Sequence, residues 1–572
     1  MCGIWALLGS EYNPSKHEEE FLKIVGRGPD LTVVSEVAPR VWLGFHRLAI
    51  VQPGDEPCEQ PIVAENLSVV CNGEIYNHLQ IKDDSPIKPN DVLNGSSDCA
   101  AIIHAFRTHN NNLRKCCASL DGVFAFLMAD QEFFYIGRDP IGVRPLFYGQ
   151  MKTGGLAFGS EIKSIEKFCS RVEYFPPGCC AQISIKNPTE ELVFQQYYTI
   201  PSSPDRSITV YTAQAIIQKI LVDAVEKRLM GNRRFGFMLS GGLDSSLIAS
   251  IASKFLTHKP IAFSVGFEDS PDLENARLVA KFLNIPHKVL VITPEDCIKI
   301  IPEVVYALET FEPLIVRCGV AHYLLCKYIS TISDVKVLLS GEGADELFGS
   351  YAYMQRAPNP AHLHREILRR LKHLHQYDVL RCDRATSCHG LEIRVPFLDK
   401  KFIEFASRLP PSYKLIQKKL EKYVLRSAFE GWLPEEVLWR SKEGFSEALG
   451  WLPEEVLWRS KEGFSEALGK TDLGDIVHEH TNRLISDDEF AQRAKLFSWK
   501  TPETKEEFWY RALFESFYSM KKLDGIIHTK VYRTAAWQLP EEKENCKDDL
   551  LHIETSRFRR RSTGSAKFSG VA

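Results

Sequence analysis

The sequence predicts two domains: an α+β sandwich of antiparallel sheets, then an α/β domain with a parallel sheet and a helical extension. Its 572 residues exceed what a single hydrophobic core organises. Up to about residue 200 the chain shows short strands separated by turns, which is typical of stacked antiparallel sheets. From about residue 209 helices alternate with short apolar strands, as in a parallel sheet, and after about residue 350 the pattern is mostly helical.

Four strand-like segments carry the prediction for the first domain, which we expect to span residues 2–200. They are the apolar runs at 41–45, 67–71, 123–128 and 133–137. A segment rich in Pro and Ser at 201–205 then predicts a linker.

The second domain is expected over residues 209–530. Helical patterns at 213–229 and 247–255 alternate with strand patterns at 235–239 and 261–265. The polar end of the chain, residues 540–572, is expected to be a disordered tail.

Composition argues against several classes of protein. A net charge of −4 gives no sign of a nucleic-acid or acidic-membrane partner, and no apolar run approaches the roughly 20 residues that span a bilayer. The apolar run at 4–9 is too short for a signal peptide. We therefore expect a soluble protein of the cytosol. Its fifteen cysteines, an odd number without a CxxC pair, indicate neither a disulfide framework nor a zinc site.

One segment occurs twice: residues 451–469 are identical in sequence to residues 432–450. A solenoid needs three or more units that have diverged, so one perfect copy does not predict a repeat architecture. A recent duplication and an artefact of the gene model are the two explanations, and we favour the artefact.

Cys2 is the first candidate for chemistry. If Met1 is removed, Cys2 carries both a thiol and the α-amine of the chain. An α-amine titrates at about 7.7–8.0, so near neutral pH it can serve as a base for the thiol. Nucleophile and base would then reside in one residue.

Two turns after predicted strands suggest a phosphate site. The segment SGGLDSS at 240–246 stands between a strand and a helix, where backbone N–H groups and the helix N-terminus favour an anion. It lacks the spacing and the lysine of a Walker A loop. Its Asp244 offers a carboxylate for a Mg²⁺ ion that bridges phosphates. A second turn, SGEGADE at 340–346, follows the strand at 335–339, and two such turns fit a nucleotide in the crevice of an open sheet.

The motifs, taken in order, resemble a known family. CGI at 2–4, RGPD at 27–30, HRL at 46–48, NGEIYN at 72–77 and GRD at 137–139 resemble the glutaminase of amidotransferases, an Ntn-hydrolase type of domain. SGGLDSS resembles the pyrophosphate loop of N-type ATP pyrophosphatases. This resemblance implies an adenine nucleotide α-hydrolase-like fold with a parallel sheet of five strands. With SGEGADE and HGLEIRVPFLD at 389–399, their order resembles glutamine-hydrolysing asparagine synthetases from residue 2 to about 520.

The resemblance implies a complete reaction. ATP, L-aspartate, L-glutamine and water would give L-asparagine, L-glutamate, AMP and diphosphate. The route would use a glutamyl thioester at Cys2, ammonia that passes through an internal channel, and a β-aspartyl-AMP intermediate. Mg²⁺ is the implied cofactor and a homodimer the implied assembly.

The resemblance also implies roles for residues of the first domain. Cys2 would attack glutamine, while the Asn72 side chain and the Gly73 N–H would stabilise the oxyanion. Arg47 would bind the α-carboxylate, and Glu74 and Asp98 would accept from the α-ammonium. The glutamine-binding set is Arg47, Leu48, Ala49, Ile50, Val51, Asn72, Gly73, Glu74 and Asp98.

In the second domain the resemblance assigns ATP, metal and aspartate sites. The ATP and pyrophosphate set is Met238, Ser240, Gly241, Gly242, Asp244, Ser245, Val265, Ser340, Gly341 and Lys442. Asp244 and Asp345 would hold Mg²⁺, and Glu342 would serve formation of β-aspartyl-AMP. Arg317, Asp378 and Arg381 would surround aspartate and the phosphates. Lys461, the twin of Lys442, competes for its place; we choose Lys442, whose copy follows a helix predicted at 418–429.

Two departures from the family pattern keep alternatives open. Gly26 stands where the family usually has His, which leaves Cys2 with its own amine as base. Leu314 and Ile315 stand where the family has two threonines, and each lost hydrogen bond to a charged group would be worth about 1.5–3 kcal/mol. A family member with an altered acceptor, or a catalytically silent binding or regulatory homologue, therefore competes with the synthetase hypothesis.

Overall fold

The computed structural model describes residues 1–51, 59–88, 92–93, 97–189, 191–351, 353–418, 420–440, 473–523, 526, 535 and 537. The predicted tail at 540–572 lies outside the described residues, and so does most of the repeat, including Lys442 and Lys461.

Two antiparallel sheets form the first domain, as predicted. In spatial order the first sheet contains β11 (Cys169–Tyr174), β9 (Phe147–Met151), β10 (Leu156–Gly159), β1 (Gly3–Leu8), β3 (Val41–Arg47) and β2 (Leu31–Ala38). The second contains β13 (Phe194–Gln196), β12 (Cys179–Ser184), β8 (Phe133–Arg138), β7 (Gly122–Ala129), β5 (Leu67–Ile75), β4 (Ile62–Ala64) and β6 (Val92–Leu93). The four predicted strands are confirmed as parts of β3, β5, β7 and β8.

Two apolar layers hold these sheets. One core, which includes Ile4, Phe45 and Leu127, contains buried residues of both sheets. Alternate residues of the second sheet face the other way, so Phe126 packs in a second core with Ile103. The helices of this domain are α1 (Pro14–Leu22), α2 (His78–Asp83), α3 (Ala101–Thr108) and α4 (Leu113–Ser119).

A parallel sheet of five strands forms the centre of the second domain. Its spatial order is β16 (His287–Val291), β15 (Ile261–Gly266), β14 (Phe235–Met238), β17 (Val337–Leu339) and β18 (Glu392–Arg394). The chain leaves β14 toward β15 on one side and later returns to β17 on the other. The carboxyl ends of β14 and β17 therefore border a crevice at the switch point of the sheet.

Helices surround the parallel sheet and form the extension. They are α5 (Val210–Lys227), α6 (Leu243–Ser253), α7 (Pro271–Phe282), α8 (Pro294–Leu308), α9 (Pro313–Ile332), α10 (Ala344–Phe348), α11 (Pro360–His373), α12 (Asp378–Ser387), α13 (Lys400–Arg408), α14 (Tyr423–Ala428), α15 (Glu435–Leu438), α16 (Leu473–Leu484), α17 (Asp487–Ala491), α18 (Arg493–Leu496) and α19 (Lys505–Phe517).

The helix predicted at 418–429 is wrong in its first half. Lys418 and Lys422 have φ angles of 51° and 55°, in the left-handed region, so the backbone turns there and α14 begins only at Tyr423. The predicted linker is attached to the second domain at two points: the Asp205 N–H donates to Arg408 O over 2.7 Å, and His364 Nε2 donates to Ser202 O over 2.8 Å.

Candidate functional site

Cys2 precedes β1 and contacts the segment that follows β3. The Leu48 N–H donates to Cys2 Sγ over 3.4 Å. Burial raises the pKa of the Cys2 thiol to about 11, so near neutral pH the thiol keeps its proton and needs a base before it can attack a carbonyl. The sequence prediction names the α-amine of Cys2 as that base, once Met1 is gone.

Met1 occupies buried space between the two domains. Its amine lies 3.6 Å from Glu392 Oε2 of β18, and its side chain is fully buried. Burial lowers the pKa of this amine below 8.0, although Glu392 opposes the shift. The start of the chain therefore touches the second domain directly.

Asn72 and Gly73 lie side by side on β5, opposite Ala125 and Phe124 of β7. The side-chain amide of Asn72 is fully buried, and neither its nitrogen nor its oxygen has a hydrogen-bond partner among the described residues. A buried amide without a partner is costly unless a ligand supplies one. Gly73 leaves no room for a side chain, because a Cβ would lie 2.2 Å from Val123 O. A donor on Asn72 is thus available to an incoming group.

Two carboxylates of the predicted glutamine site are buried. Asp98 Oδ2 accepts from the Ile75 N–H over 2.7 Å, which ties it to the end of β5. Glu74 Oε1 lies 3.3 Å from Arg394 Nη2 of β18, and Glu74 Oε2 has no hydrogen-bond partner in the described part of the chain. Burial raises the pKa of both carboxyl groups. A cationic ligand group would offset this desolvation.

The RGPD segment holds the pocket together. Arg27 Nε donates to Cys2 O over 3.1 Å, and Asp30 Oδ2 accepts from the Ala49 N–H over 2.7 Å. These bonds hold the backbone of Cys2, the predicted nucleophile, and of Ala49, which belongs to the segment predicted to bind glutamine. Gly26 packs on the second domain, where a Cβ would lie 2.7 Å from Cys388 O, so this backbone excludes the larger residue usual in the family.

His46 is excluded as a base for Cys2 by its own contacts. Thr32 Oγ1 lies 2.8 Å from Nδ1, and Nε2 donates to Phe21 O over 3.0 Å, so both ring nitrogens are engaged. Burial lowers the pKa of His46 to about 4.

The two phosphate-type turns meet at the crevice of the parallel sheet. A Cβ on Gly341 would lie 2.6 Å from the Ser245 N atom, so the turns pack backbone against backbone. Gly241 has a φ of 77°, and Gly242 precedes α6 without a side chain that caps its N–H groups. The first turn of α6 therefore presents backbone donors of the kind that bind phosphate. Met238 ends β14, and Val265 lies near the end of β15.

Asp244 and Asp345, one from each turn, converge on one lysine. Lys422 Nζ lies 2.5 Å from Asp244 Oδ2 and 2.7 Å from Asp345 Oδ1, and its side chain is buried. A cation thus sits between the two carboxylates predicted to hold Mg²⁺. Two carboxylates that already attract one cation, beside a phosphate-type turn, fit a Mg²⁺ that also binds substrate phosphates. Sequence reasoning missed Lys422, which belongs to no motif.

Glu342, Asp378 and Arg381 form a second cluster at the same crevice. Arg381 Nη2 donates to Glu342 Oε1 over 2.8 Å and lies 3.3 Å from Asp378 Oδ1. Burial raises the pKa of Glu342, an effect that Arg381 opposes. Arg317 of α9 forms a 3.2 Å ion pair with Glu506 of α19.

Leu314 and Ile315 lie in the first turn of α9. The Ile315 side chain is 1% exposed and belongs to the main core, while Glu312 accepts from the Ile315 N–H over 3.1 Å. Glu312 therefore supplies the side-chain acceptor that this helix end requires, and Ile315 serves packing rather than hydrogen bonding.

Arg440 is the last described residue before the repeat's undescribed part. Its Nη2 lies 3.1 Å from Asp272 Oδ1 at the start of α7. The carbonyl oxygen of Asp272 packs against the pyrophosphate turn, since a Cβ on Gly241 would lie 2.7 Å from it. The chain thus reaches the pyrophosphate turn two residues before Lys442.

Buried ion pairs join the domain that carries Cys2 to the domain that carries the crevice. Lys163 lies between Glu161 and Glu309, at 2.5 Å and 3.6 Å. Glu309, at the end of α8, also accepts from the Ile162 and Lys163 N–H groups and pairs with Arg384 of α12 at 2.6 Å. The helix that carries Asp378 and Arg381 is therefore joined to the domain that carries Cys2.

No helix in the described ranges is long and apolar enough to cross a bilayer. Over those same residues, no group of three or more His, Cys, Asp or Glu side chains is arranged to hold a metal on its own. A two-carboxylate Mg²⁺ site that phosphates complete is compatible with this.

Two family models match the chain. The model described as a glutamine amidotransferase domain matches residues 1–201, and the model described as asparagine synthase matches 217–361, 355–451 and 447–544. The last two segments meet at the repeat, so each contains one copy.

Curated relatives match over nearly the whole length. Asparagine synthetase [glutamine-hydrolyzing] 1 of Lotus japonicus is 36% identical over 91% of this chain and 86% of its own. A probable asparagine synthetase [glutamine-hydrolyzing] of Dictyostelium discoideum is 36% identical over 97% of this chain and 100% of its own. The Cricetulus griseus asparagine synthetase [glutamine-hydrolyzing] is 35% identical over 91% and 94%.

Proposed function

The chain belongs to the family of glutamine-hydrolysing asparagine synthetases, and from this membership we propose that it transfers the amide nitrogen of glutamine to the side-chain carboxylate of aspartate. ATP, L-aspartate, L-glutamine and water give L-asparagine, L-glutamate, AMP and diphosphate. Residues 2–200 form the glutaminase unit and residues 209–530 the synthetase unit.

The first half-reaction uses Cys2. Its sulfur attacks the carboxamide carbon of glutamine while the thiol proton passes to the α-amine that removal of Met1 exposes. The Asn72 amide and the Gly73 N–H donate to the oxyanion. The C–N bond then breaks, the proton passes to the leaving nitrogen, and ammonia departs. Water hydrolyses the thioester to glutamate.

Recognition of glutamine is assigned to the surrounding groups. Arg47 binds the α-carboxylate, and residues 48–51 line the pocket beside it. Glu74 and Asp98 accept from the α-ammonium, which offsets the desolvation that raises their pKa values.

The second half-reaction occurs in the crevice of the parallel sheet. A side-chain carboxylate oxygen of aspartate attacks the α-phosphorus of ATP and displaces diphosphate. Ammonia, delivered through an internal channel, attacks the acyl carbon of β-aspartyl-AMP; AMP leaves and a proton is lost. We assign four side chains to the surroundings of the aspartate and the phosphates: Glu342, Asp378, Arg381 and Arg317. The Met238, Val265, Ser340 and Gly341 backbone receives adenine and ribose.

Neutralisation of the negative charge on the phosphates is assigned to cations in the same crevice. The turn at 240–245 binds the diphosphate, and Lys422 and Lys442 neutralise it. Asp244 and Asp345 would hold Mg²⁺, which supplies further neutralisation of the leaving diphosphate. The contact of Arg440 with Asp272 supports Lys442 rather than Lys461.

The observation that carries the proposal is the convergence of Asp244 and Asp345, from two strand-end turns, on the single buried Lys422. It supports a site for a polyphosphate and a divalent cation in the half of the protein where aspartate would be activated. Family membership alone extends the proposal to a cytosolic location and a homodimer, which cell fractionation and the mass in solution test.

One assay tests the function. Purified protein receives glutamine labelled with ¹⁵N in its amide, aspartate and Mg-ATP, and labelled asparagine and diphosphate are measured. Both products support the proposal. Glutamate without asparagine supports a relative with another acceptor, an alternative that the apolar Leu314 and Ile315 favour. No product at all supports a catalytically silent homologue.

A further inference from the structure

Helices α9 and α12 pack together around a buried histidine that the steps above do not use. His322 of α9 is 2% exposed. Its two ring nitrogens face two side chains of α12, Arg381 and Thr386. The histidine thus stands directly behind an arginine of the proposed aspartate site.

The contacts of His322 specify one tautomer. Arg381 Nη1 lies 3.0 Å from His322 Nδ1, and a guanidinium can only donate, so Nδ1 must carry a lone pair. Thr386 Oγ1 donates to Cys382 O over 2.7 Å, which leaves its oxygen to accept from His322 Nε2, 3.3 Å away. The ring is therefore neutral, with its proton on Nε2.

The surroundings preserve this neutral form. Burial, then the cation of Arg381 and the nearby His389, lower the pKa of His322 well below 6.5. Protonation would remove the acceptor and place two cations 3.0 Å apart.

Arg381 is held from opposite sides. Its Nη2 donates to Glu342 and approaches Asp378, while its Nη1 donates to His322. A planar guanidinium bound through both terminal nitrogens cannot turn about the Cδ–Nε bond without breaking one set of these hydrogen bonds.

We propose that His322 is a positioning residue: by accepting a hydrogen bond at Nδ1, it fixes the guanidinium plane of Arg381 toward Glu342, where the acyl-adenylate forms. The inference rests on the proposed function, since the role of Arg381 does. It adds a residue that belongs to no motif and whose proposed role is exerted through Arg381.

Substitution of His322 by asparagine or by glutamine distinguishes the role of Nδ1 from that of Nε2. In His322→Asn the amide oxygen can take the place of Nδ1 and still accept from Arg381, whereas in His322→Gln the longer side chain reaches only the place of Nε2 and Thr386. The full-length variants are compared by ammonia-dependent asparagine synthesis, with kcat and KM for aspartate measured separately. Glutamine hydrolysis and the urea midpoint are recorded as controls of the fold.

We expect His322→Asn to stay within about threefold of wild type, and His322→Gln to lose about tenfold or more in kcat/KM for aspartate, the loss expected for one hydrogen bond to a charged group. Glutamine hydrolysis should be equal in all three proteins. Equal kcat/KM values in two folded variants would overturn the inference.

A second measurement does not depend on activity or on the stability of variants. In wild-type protein with ¹⁵N-labelled histidine, NMR shifts that show an unprotonated Nδ1 and a protonated Nε2 for His322 support the inference, and the opposite tautomer or a doubly protonated ring overturns it. If the wild-type protein makes no asparagine, the proposed function is overturned. The NMR result then still shows whether His322 Nδ1 accepts the hydrogen bond from Arg381.

Discussion

Arg27 Nε donates to the backbone carbonyl oxygen of Cys2 over 3.1 Å. The same guanidinium lies 2.6 Å from Glu161 and 2.8 Å from Asp383 of α12, and all three side chains are at most 2% exposed. One buried cation therefore joins the proposed nucleophile, the first domain and the helix that carries Arg381.

Replacement of this cation should destabilise the protein strongly. In Arg27→Met two carboxylates stay buried without it, which costs about 3–5 kcal/mol in the free energy of unfolding. Urea unfolding measures this loss. Arg40→Met is the control, because Arg40 and its partner Glu11 are 57% and 77% exposed and the change should stay within about 0.5 kcal/mol. An Arg27→Met protein as stable as the control would contradict the prediction.

The buried charges also predict how stability depends on pH. Burial opposes ionisation of Glu161 and Glu392, but nearby cations outweigh it: first Lys163 and Arg27 for Glu161, first Arg394 for Glu392. They lower both pKa values to about 2. A carboxyl group with a lower pKa in the folded state stabilises fully above its unfolded pKa, near 4.5, and this contribution is lost as the pH falls toward 2.

We therefore expect the free energy of unfolding to fall with pH below about 4.5, by at most about 1.4 kcal/mol per pH unit for each group. Urea titrations of wild type and Glu161→Gln across this range measure the slopes. The variant, which lacks one of the two groups, should show the shallower slope; identical slopes would show that Glu161 does not contribute.

Cys2→Ala should abolish glutamine-dependent synthesis and leave ammonia-dependent synthesis. The reason is that the thiol takes part only in the release of ammonia. Asparagine formed from each nitrogen source measures the two activities. Cys297→Ala, a buried thiol of α8, should keep both. Persistent use of glutamine by Cys2→Ala would show that another group is the nucleophile.

Lys422→Met should impair the synthetase half alone. Without the ammonium, Asp244 and Asp345 repel each other and the diphosphate loses a cation, so ammonia-dependent synthesis should fall by about a hundredfold while glutamine hydrolysis stays at the wild-type rate. Lys418→Met is the matched control, because Lys418 also has a positive φ angle but contacts the Tyr423 hydroxyl in an exposed position. If both variants lose activity equally, the effect belongs to the backbone turn rather than to the ammonium at the carboxylates.

The repeat offers a direct choice between two lysines. Since Arg440 contacts Asp272 beside the pyrophosphate turn, Lys442→Ala should abolish asparagine synthesis and Lys461→Ala should retain it. A protein without residues 451–469 should also remain active. The opposite pattern would assign the site to the second copy, and sequencing of the transcript decides whether two copies exist.

Sequence reasoning found the fold, and it found the two turns that the structure brings together at the crevice, because both depend on local patterns. Apolar alternation identified β5 and β7, and small residues after β14 and β17 identified the turns. It could not find Lys422, which lies 178 residues from Asp244 and belongs to no motif. The same is true of His322, whose role depends on the packing of α9 against α12. It also overestimated the helix before the repeat, because nothing in the pattern indicated positive φ angles at Lys418 and Lys422.

If Cys2 uses its own α-amine as base, the burial of Met1 limits when that residue can be removed. An aminopeptidase must hold the N-terminal methionine in an open, extended form, and contact with Glu392 of β18 closes that access. On the proposed mechanism, which needs the α-amine of Cys2, Met1 would have to be removed before the second domain docks against it. On the same mechanism, a chain that docks first would keep the amine of Cys2 masked and would depend on free ammonia for asparagine synthesis.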